Sequence, residues 1–298
     1  MRLRKLCRRA LAIATTVVAL NLIQGGVNGT KASQLGTVPS EDSVELRFKL
    51  HDGYLIVAEG RIGPHKHLKF ALDTGATHSV LRSELAKGLG LATRSARMVN
   101  LDRVMNQELS EIPDFQLGPL HVPQLPMMLN SLDYLRSTGV QVDAVIGLDV
   151  LHLRSFNVDF VQRKIVFGAA LVLGSTAALE SAEMYLTVEA QMLNRPVRLV
   201  LDTGVPTILL YRDRMGDRLP NLRVERVIRG ASASGAAPLE VVTLPPMQLN
   251  GRQLDRRAVL LKNSPEGVLT RVDGYLSLAA LGARRFSLDF EKNVMSWE

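Results

Sequence analysis

The 298-residue sequence predicts an all-β protein built from two similar lobes. Three observations lead there. Five sequence blocks occur twice, in the same order, at offsets of 129 to 132 residues. Between the blocks, short alternating or β-branched apolar runs are cut by Gly and Pro, the chemistry of strands and turns. In each copy one apolar run ends on Asp-Thr-Gly.

The blocks can be followed along the chain. Tyr54-Leu-Ile-Val-Ala-Glu59 resembles Tyr185-Leu-Thr-Val-Glu-Ala190, with two extra residues in the first copy's turn around Gly63-Pro64. Phe70-Ala-Leu-Asp73-Thr-Gly75 returns as Leu199-Val-Leu-Asp202-Thr-Gly204. Ile112-Pro-Asp-Phe-Gln-Leu117 matches Leu244-Pro-Pro-Met-Gln-Leu249, and Asp143-Ala-Val-Ile-Gly147 matches Asp273-Gly-Tyr-Leu-Ser277. Phe156-Asn-Val-Asp-Phe160 closes the first copy as Phe286-Ser-Leu-Asp-Phe290 closes the second. The copies therefore span about 44–168 and 183–298, and the small, uncharged residues 169–178 read as a linker.

Strands are expected at 55–58, 68–72, 164–167 and 197–201, with short helices at 82–89 and 148–153. His65-Lys66-His67 reads as a solvated turn tip, and Asp159 and Asp289 as structural acids at strand ends. Gly230 and Gly235 bracket what reads as an ordinary loop, whereas the equivalent first-copy region, around 98–109, has no glycine.

Charge and cysteine narrow the function. The pI of about 9.7 and net charge of +7 invite a nucleic-acid reading. However, Arg2, Arg4, Lys5, Arg8, Arg9 and Lys31 lie in the first 32 residues, which hold no acid. Without that leader, 30 basic residues face 29 acidic ones, and no basic face for nucleic acid is expected. The leader has a positive start, an apolar run over 10–23 and a small, polar end. This is the layout of a signal peptide over 1–32, with an uncleaved N-terminal anchor as the alternative. An exported protein is expected. The sole cysteine, Cys7, is in the leader, so disulfides, thiol nucleophiles and thiolate metal sites are excluded from the rest. His51, His65, His67, His78, His121 and His152 show no zinc spacing, and no metal or other cofactor is expected.

The paired Asp-Thr-Gly segments, each followed at matching distance by an apolar pair and a small residue (Val145-Ile146-Gly147 and Tyr275-Leu276-Ser277), resemble the pepsin and retropepsin-like aspartic proteases over the whole chain beyond the leader. Asp73-Thr-Gly-Ala76 is closer to the retropepsin-like and bacterial exported relatives than to pepsins. The resemblance implies two retropepsin-like β-barrel lobes forming a bilobal pseudo-dimer around a cleft. It implies Asp73 and Asp202 as a catalytic dyad, and a peptide or protein as substrate of a monomeric endopeptidase. Two carboxyls held close share one proton, so one can serve as base for water and the other as acid for the carbonyl. By the same resemblance, Thr74 and Thr203 bond across the lobes, Gly75 and Gly204 permit the tight loops, and Gly147 lets the chain pack under Asp73. The loop 230–235 falls where the family carries its flap. Two residues depart from the pattern: Ser277 replaces the expected Gly, and Pro206 follows Val205 where Ser or Thr is common. They keep open a second reading, a weakly active or inactive relative that binds peptide segments in its cleft.

Overall fold

The computed structural model describes residues 11–12, 16–19, 44–136, 139–182, 184–219, 222–267 and 269–298. The leader read as a signal peptide lies outside them except for two short pieces, and 33–43 lies outside them entirely. Among the described residues no helix is long and apolar enough to cross a membrane.

The leader pieces are β1 (Leu11–Ala12) and β2 (Thr16–Ala19). The first half then runs β3 (Val44–His51), β4 (Leu55–Ile62), β5 (His65–Leu72), β6 (Val80–Arg82), α1 (Ser83–Gly88), β7 (Arg94–Asn100), β8 (Arg103–Leu117), β9 (Leu120–Asn130), α2 (Asp133–Arg136), β10 (Ala144–Ile146), α3 (Leu148–Leu151), β11 (Phe156–Asp159) and β12 (Lys164–Phe167). β13 (Ser175–Ala178) and β14 (Glu180–Ala182) lead into β15 (Tyr185–Met192), β16 (Arg195–Asp202), β17 (Ile208–Tyr211), α4 (Arg212–Met215), β18 (Val224–Ser232) and β19 (Gly235–Thr243). The chain ends with β20 (Met247–Leu249), β21 (Arg252–Gln253), β22 (Arg257–Leu261), β23 (Gly274–Ser277), β24 (Arg285–Asp289) and β25 (Val294–Trp297).

The fold is all-β, with two sheets among the described residues. One contains the run β9-β6-β10-β5-β4, the other the run β22-β17-β23-β16-β15. The directions match as well as the order. β10 is inserted between β5, to which it is parallel, and β6, to which it is antiparallel. β23 stands in the same relation to β16 and β17. An inserted central strand is covered on both sides, which is why Ala144-Val145-Ile146 is a continuous buried apolar run without alternation.

Local chemistry sets the hairpins that feed these runs. Leu193 and Asn194 both have positive φ (52° and 59°), as a two-residue type I′ turn requires, and they join β15 to β16. Gly63, at φ 51°, precedes Pro64 in the tight turn between β4 and β5. That turn is shorter than the sequence suggested. His65 and His67 are residues of β5 and not a turn tip, and His67 Nδ1 lies 3.0 Å from the Glu59 carboxylate across the hairpin.

The two halves are joined covalently by the linker and sterically by a shared sheet. β11 of the first half pairs antiparallel with β24 of the second, and the order β13-β25-β24-β11-β12-β3 continues on both sides. Phe156, Phe167, Phe286, Leu288 and Trp297 from both halves belong to one buried cluster. The linker is partly strand: 175–178 pairs with β25, whose outer edge would otherwise be left open. Asp159 and Asp289 cap the turns after β11 and β24, accepting from the amides of Val161 and Gln162 and of Lys292 respectively.

Candidate active site

β5 and β16 run from exposed starts into the core, and each delivers its aspartate at the buried end. Asp73 and Asp202 are both 0% exposed. Asp73 follows β5 directly and is held by its amide, which donates to Ile146 O of β10 at 2.9 Å. Asp202 is in register with Ser277 on β23. A carboxylate buried this deeply is stable only if donors or a shared proton compensate the lost water. Backbone donors are present. Gly75 N donates to Asp73 Oδ1 at 2.9 Å, and Gly204 N to Asp202 Oδ1 at 2.6 Å. The two carboxyls are also within hydrogen-bonding reach of each other. Burial first, then the charge of Asp202 and the bond to it, push the Asp73 carboxyl well above the usual carboxylate range, with the Gly75 and Ala76 amides opposing.

The threonines bring the loops together. Thr74 Oγ1 donates to Leu201 O and Thr203 Oγ1 to Leu72 O, both at 2.8 Å. Each hydroxyl in turn accepts the opposite threonine's amide, at 3.0 and 3.2 Å. All four of these threonine donors are thereby satisfied within the protein, and the pattern is nearly two-fold. Gly75 has to be glycine because a Cβ there would collide with the Asp202 carboxyl. Gly147 has to be glycine because a Cβ would lie 2.7 Å from Ala76 O and 2.9 Å from His78 C.

Ser277 occupies the position equivalent to Gly147, and the structure shows how the second loop takes it. Its Oγ donates to Val205 O at 2.6 Å and accepts from Ala279 N at 3.1 Å. The first loop uses a hydroxyl from the other side of the same junction. Ser79 Oγ accepts from Gly147 N at 3.0 Å and donates to Asp149 Oδ1 at 2.7 Å. The positions equivalent to Ser79 and Asp149 in the second copy are Ile208 and Ala279. The departure at 277 is a relocated hydroxyl, fully bonded, and not an intrusion under Asp202.

Two hairpins face this region. β18 and β19 turn at Ala233-Ser234, and Gly230 and Gly235 lie in this hairpin. The first copy also carries a hairpin, which no glycine signals in the sequence: β7 and β8 turn at Leu101-Asp102. No glycine marks this turn because neither central residue has positive φ. The tips meet. Ser234 Oγ donates to Asp102 Oδ1 at 2.9 Å, and Tyr211 Oη donates to Leu101 O at 2.6 Å. Each tip packs on the opposite half: Val99 and Leu101 join the cluster of Tyr185, Tyr211 and Tyr275, while Ala231 and Ala233 rest on the cluster of Leu55, Val80 and Tyr134. The leader pieces pair with the same hairpins, β1 parallel to β18 and β2 antiparallel to β7.

Sequence reasoning missed Ser79, Asp149, Leu101, Asp102, Tyr211 and Ser234. Asp149 alone carried a signal, as a charge within the apolar run Val145-Ile-Gly-Leu-Asp-Val-Leu151. Among the described residues no group of three or more His, Cys, Asp or Glu is arranged to hold a metal ion.

Comparison with known proteins agrees with this geometry over part of the chain. Residues 58–150 match a family model described as aspartyl protease, and a search of curated proteins found no match. The matched segment begins in β4, carries Asp73, Thr74, Gly75 and Gly147, and ends within α3. Over residues 58–150, about a third of the chain, the protein is similar to the aspartyl protease family.

Proposed function

We propose that the chain is an aspartic endopeptidase in which Asp73 and Asp202, one from each half, form a single catalytic dyad. The observation that carries this reading is the reciprocal bonding of Thr74 and Thr203, which sets two buried carboxyls against each other at the meeting of two similarly ordered sheet runs. On this reading the halves are the lobes of a retropepsin-like pseudo-dimer arising from an internal duplication, and the hairpins are its flaps.

The chemistry follows from the shared proton. The ionised carboxyl takes a proton from water as its oxygen attacks the scissile carbonyl carbon. The protonated carboxyl gives its proton to the carbonyl oxygen, producing a neutral tetrahedral diol. Collapse returns the proton to the dyad and transfers the other to the departing amine, leaving acid and amine products. Chemistry of this kind cleaves an amide, so a peptide or unfolded protein is the substrate class. The leader fits export ahead of this activity.

The test is hydrolysis of an unfolded protein by the purified chain from about pH 3 to 8. Asp73→Asn and Asp202→Asn are each expected to lower kcat by at least about a thousandfold with cooperative unfolding retained, since each carboxyl has a separate role in one step. Near-normal activity of Asp202→Asn would overturn the single-chain dyad.

A further inference from the structure

One carboxyl beside the site has no part in the dyad chemistry. Asp149 lies in the first turn of α3, two residues after the junction at Gly147. The residue keeps some solvent contact, but its carboxyl group is surrounded by protein. Both oxygens are used by one neighbour: Oδ1 accepts from Ser79 Oγ at 2.7 Å and Oδ2 from Ser79 N at 2.8 Å. Ser79 has one hydroxyl proton. Giving it to Asp149 leaves its lone pairs toward Gly147 N, which donates at 3.0 Å. Asp149 therefore sets the direction of a hydroxyl that ties the end of the Asp73 loop to the strand under it.

That loop runs from Asp73 to Ser79, and its remaining rungs are backbone bonds. Asp73 N donates to Ile146 O, Leu148 N to Ala76 O at 2.8 Å, and Asp149 N to Thr77 O at 3.3 Å. The second loop has nothing titratable in this place. Ile208 and Ala279 stand at the equivalent positions, and the neutral Ser277 hydroxyl makes the tie. We infer that Asp149 is a positioning residue for Asp73, holding the first aspartate's loop through Ser79, and that its ionisation tightens this loop alone.

Burial raises the Asp149 carboxyl to about 6, against the bonds from Ser79 and the helix amides, which lower it. The other titratable groups on the surrounding elements are Asp73 and His78 on the loop, His152 on the next turn after α3, and the Arg82–Asp143 ion pair between β6 and the start of β10. Above about pH 6 the ionised carboxylate accepts both Ser79 bonds. Below it, a proton on one oxygen displaces one of them, and the loop loses a tether.

This inference rests on the proposed dyad, and the experiment separates the two. Full-length wild type, Asp149→Asn and Ser79→Ala are compared in kcat and KM from about pH 4.5 to 8. Asp149→Asn cannot present two acceptors to Ser79. It is expected to lower kcat about tenfold near pH 7.5 with KM within about twofold, and to approach wild type below about pH 5, where Asp149 itself is protonated. Ser79→Ala removes one donor to the carboxylate, so the inflection that remains should move upward. A purely structural defect would give a deficit independent of pH, and that result overturns the proposal. Hydrogen exchange reads the same claim without catalysis. In wild type, amides of 74–79 and 147–149 should lose protection relative to 203–208 and 277–280 as pH falls through about 6, after correction for intrinsic rates. In Asp149→Asn the low protection should persist at all pH values. Equal behaviour of the two loops overturns the positioning role whether or not the protein hydrolyses peptides. The expected exchange pattern in a protein without proteolysis would overturn the dyad reading alone.

Discussion

At residue 277 a serine stands where the resemblance expects glycine. In the structure Ser277 Oγ makes two hydrogen bonds in a fully buried place, so Ser277→Gly removes both and adds backbone freedom. A loss of about 1–2 kcal/mol of stability is expected, with no gain in kcat, measured by urea unfolding and steady-state kinetics. Residue 76 decides a different property. Ala76 offers Asp73 its backbone amide but no hydroxyl. A hydroxyl donor to a buried carboxylate is worth about 1.5–3 kcal/mol, which corresponds to about one to two pKa units. Activity is therefore expected at weakly acid to near-neutral pH, and Ala76→Ser should move the acid limb of kcat/KM downward by about one unit. The raised Asp73 carboxyl also has a stability consequence. A group whose folded pKa lies above its unfolded value stabilises the fold in acid and loses that contribution as pH rises through the folded value. Thermal stability should thus be higher near about pH 5 than near pH 8, and Asp73→Asn should reduce the difference, leaving the part contributed by Asp149, which burial raises to about 6.

At the scale of elements, the two hairpins are alike in pairing but unlike in how they are legible. The β18–β19 turn could be found because Gly235 takes φ 111°, a conformation that leaves a trace in composition. The β7–β8 turn needs no special residue, and its tip is held by groups far along the chain, Tyr211 and Ser234. No window of local sequence contains that information. Tyr211→Phe keeps the ring in its apolar cluster and removes the donor to Leu101 O. An expected loss of about 1 kcal/mol should appear at the tip first, as faster hydrogen exchange or proteolytic nicking around 100–103 with the sheet core unchanged. The same contrast holds for the helix after Gly147. Its position near 148–153 was readable from the apolar run, but the partner that makes Asp149 tolerable there, Ser79, lies 70 residues away.

At the scale of the whole molecule, the halves are expected to unfold together. The pairing of β11 with β24 and the common apolar cluster around Phe156, Phe286 and Trp297 make each half complete the other's core. Trp297→Ala should cost about 3–5 kcal/mol and lower one transition, observed alike by circular dichroism and by calorimetry. Two resolved transitions would show that the shared sheet couples the halves weakly.

The sequence by itself determined the β class, the blocks that recur in the same order, the apolar runs that lead to Asp73 and Asp202, and the concentration of the net positive charge in residues 1–32. These are properties of spacing, periodicity and composition, which repeat visibly because similarly ordered strands must bury similar faces. The tertiary structure alone decided that the two aspartates meet, that the first copy has a hairpin tip, and that Ser277 and Ser79 supply the same kind of tie from opposite sides of equivalent junctions. Those outcomes depend on buried donors finding acceptors. In a core without water, an acceptor can come from any part of the chain that packing brings within about 3 Å, so sequence distance carries no information about it.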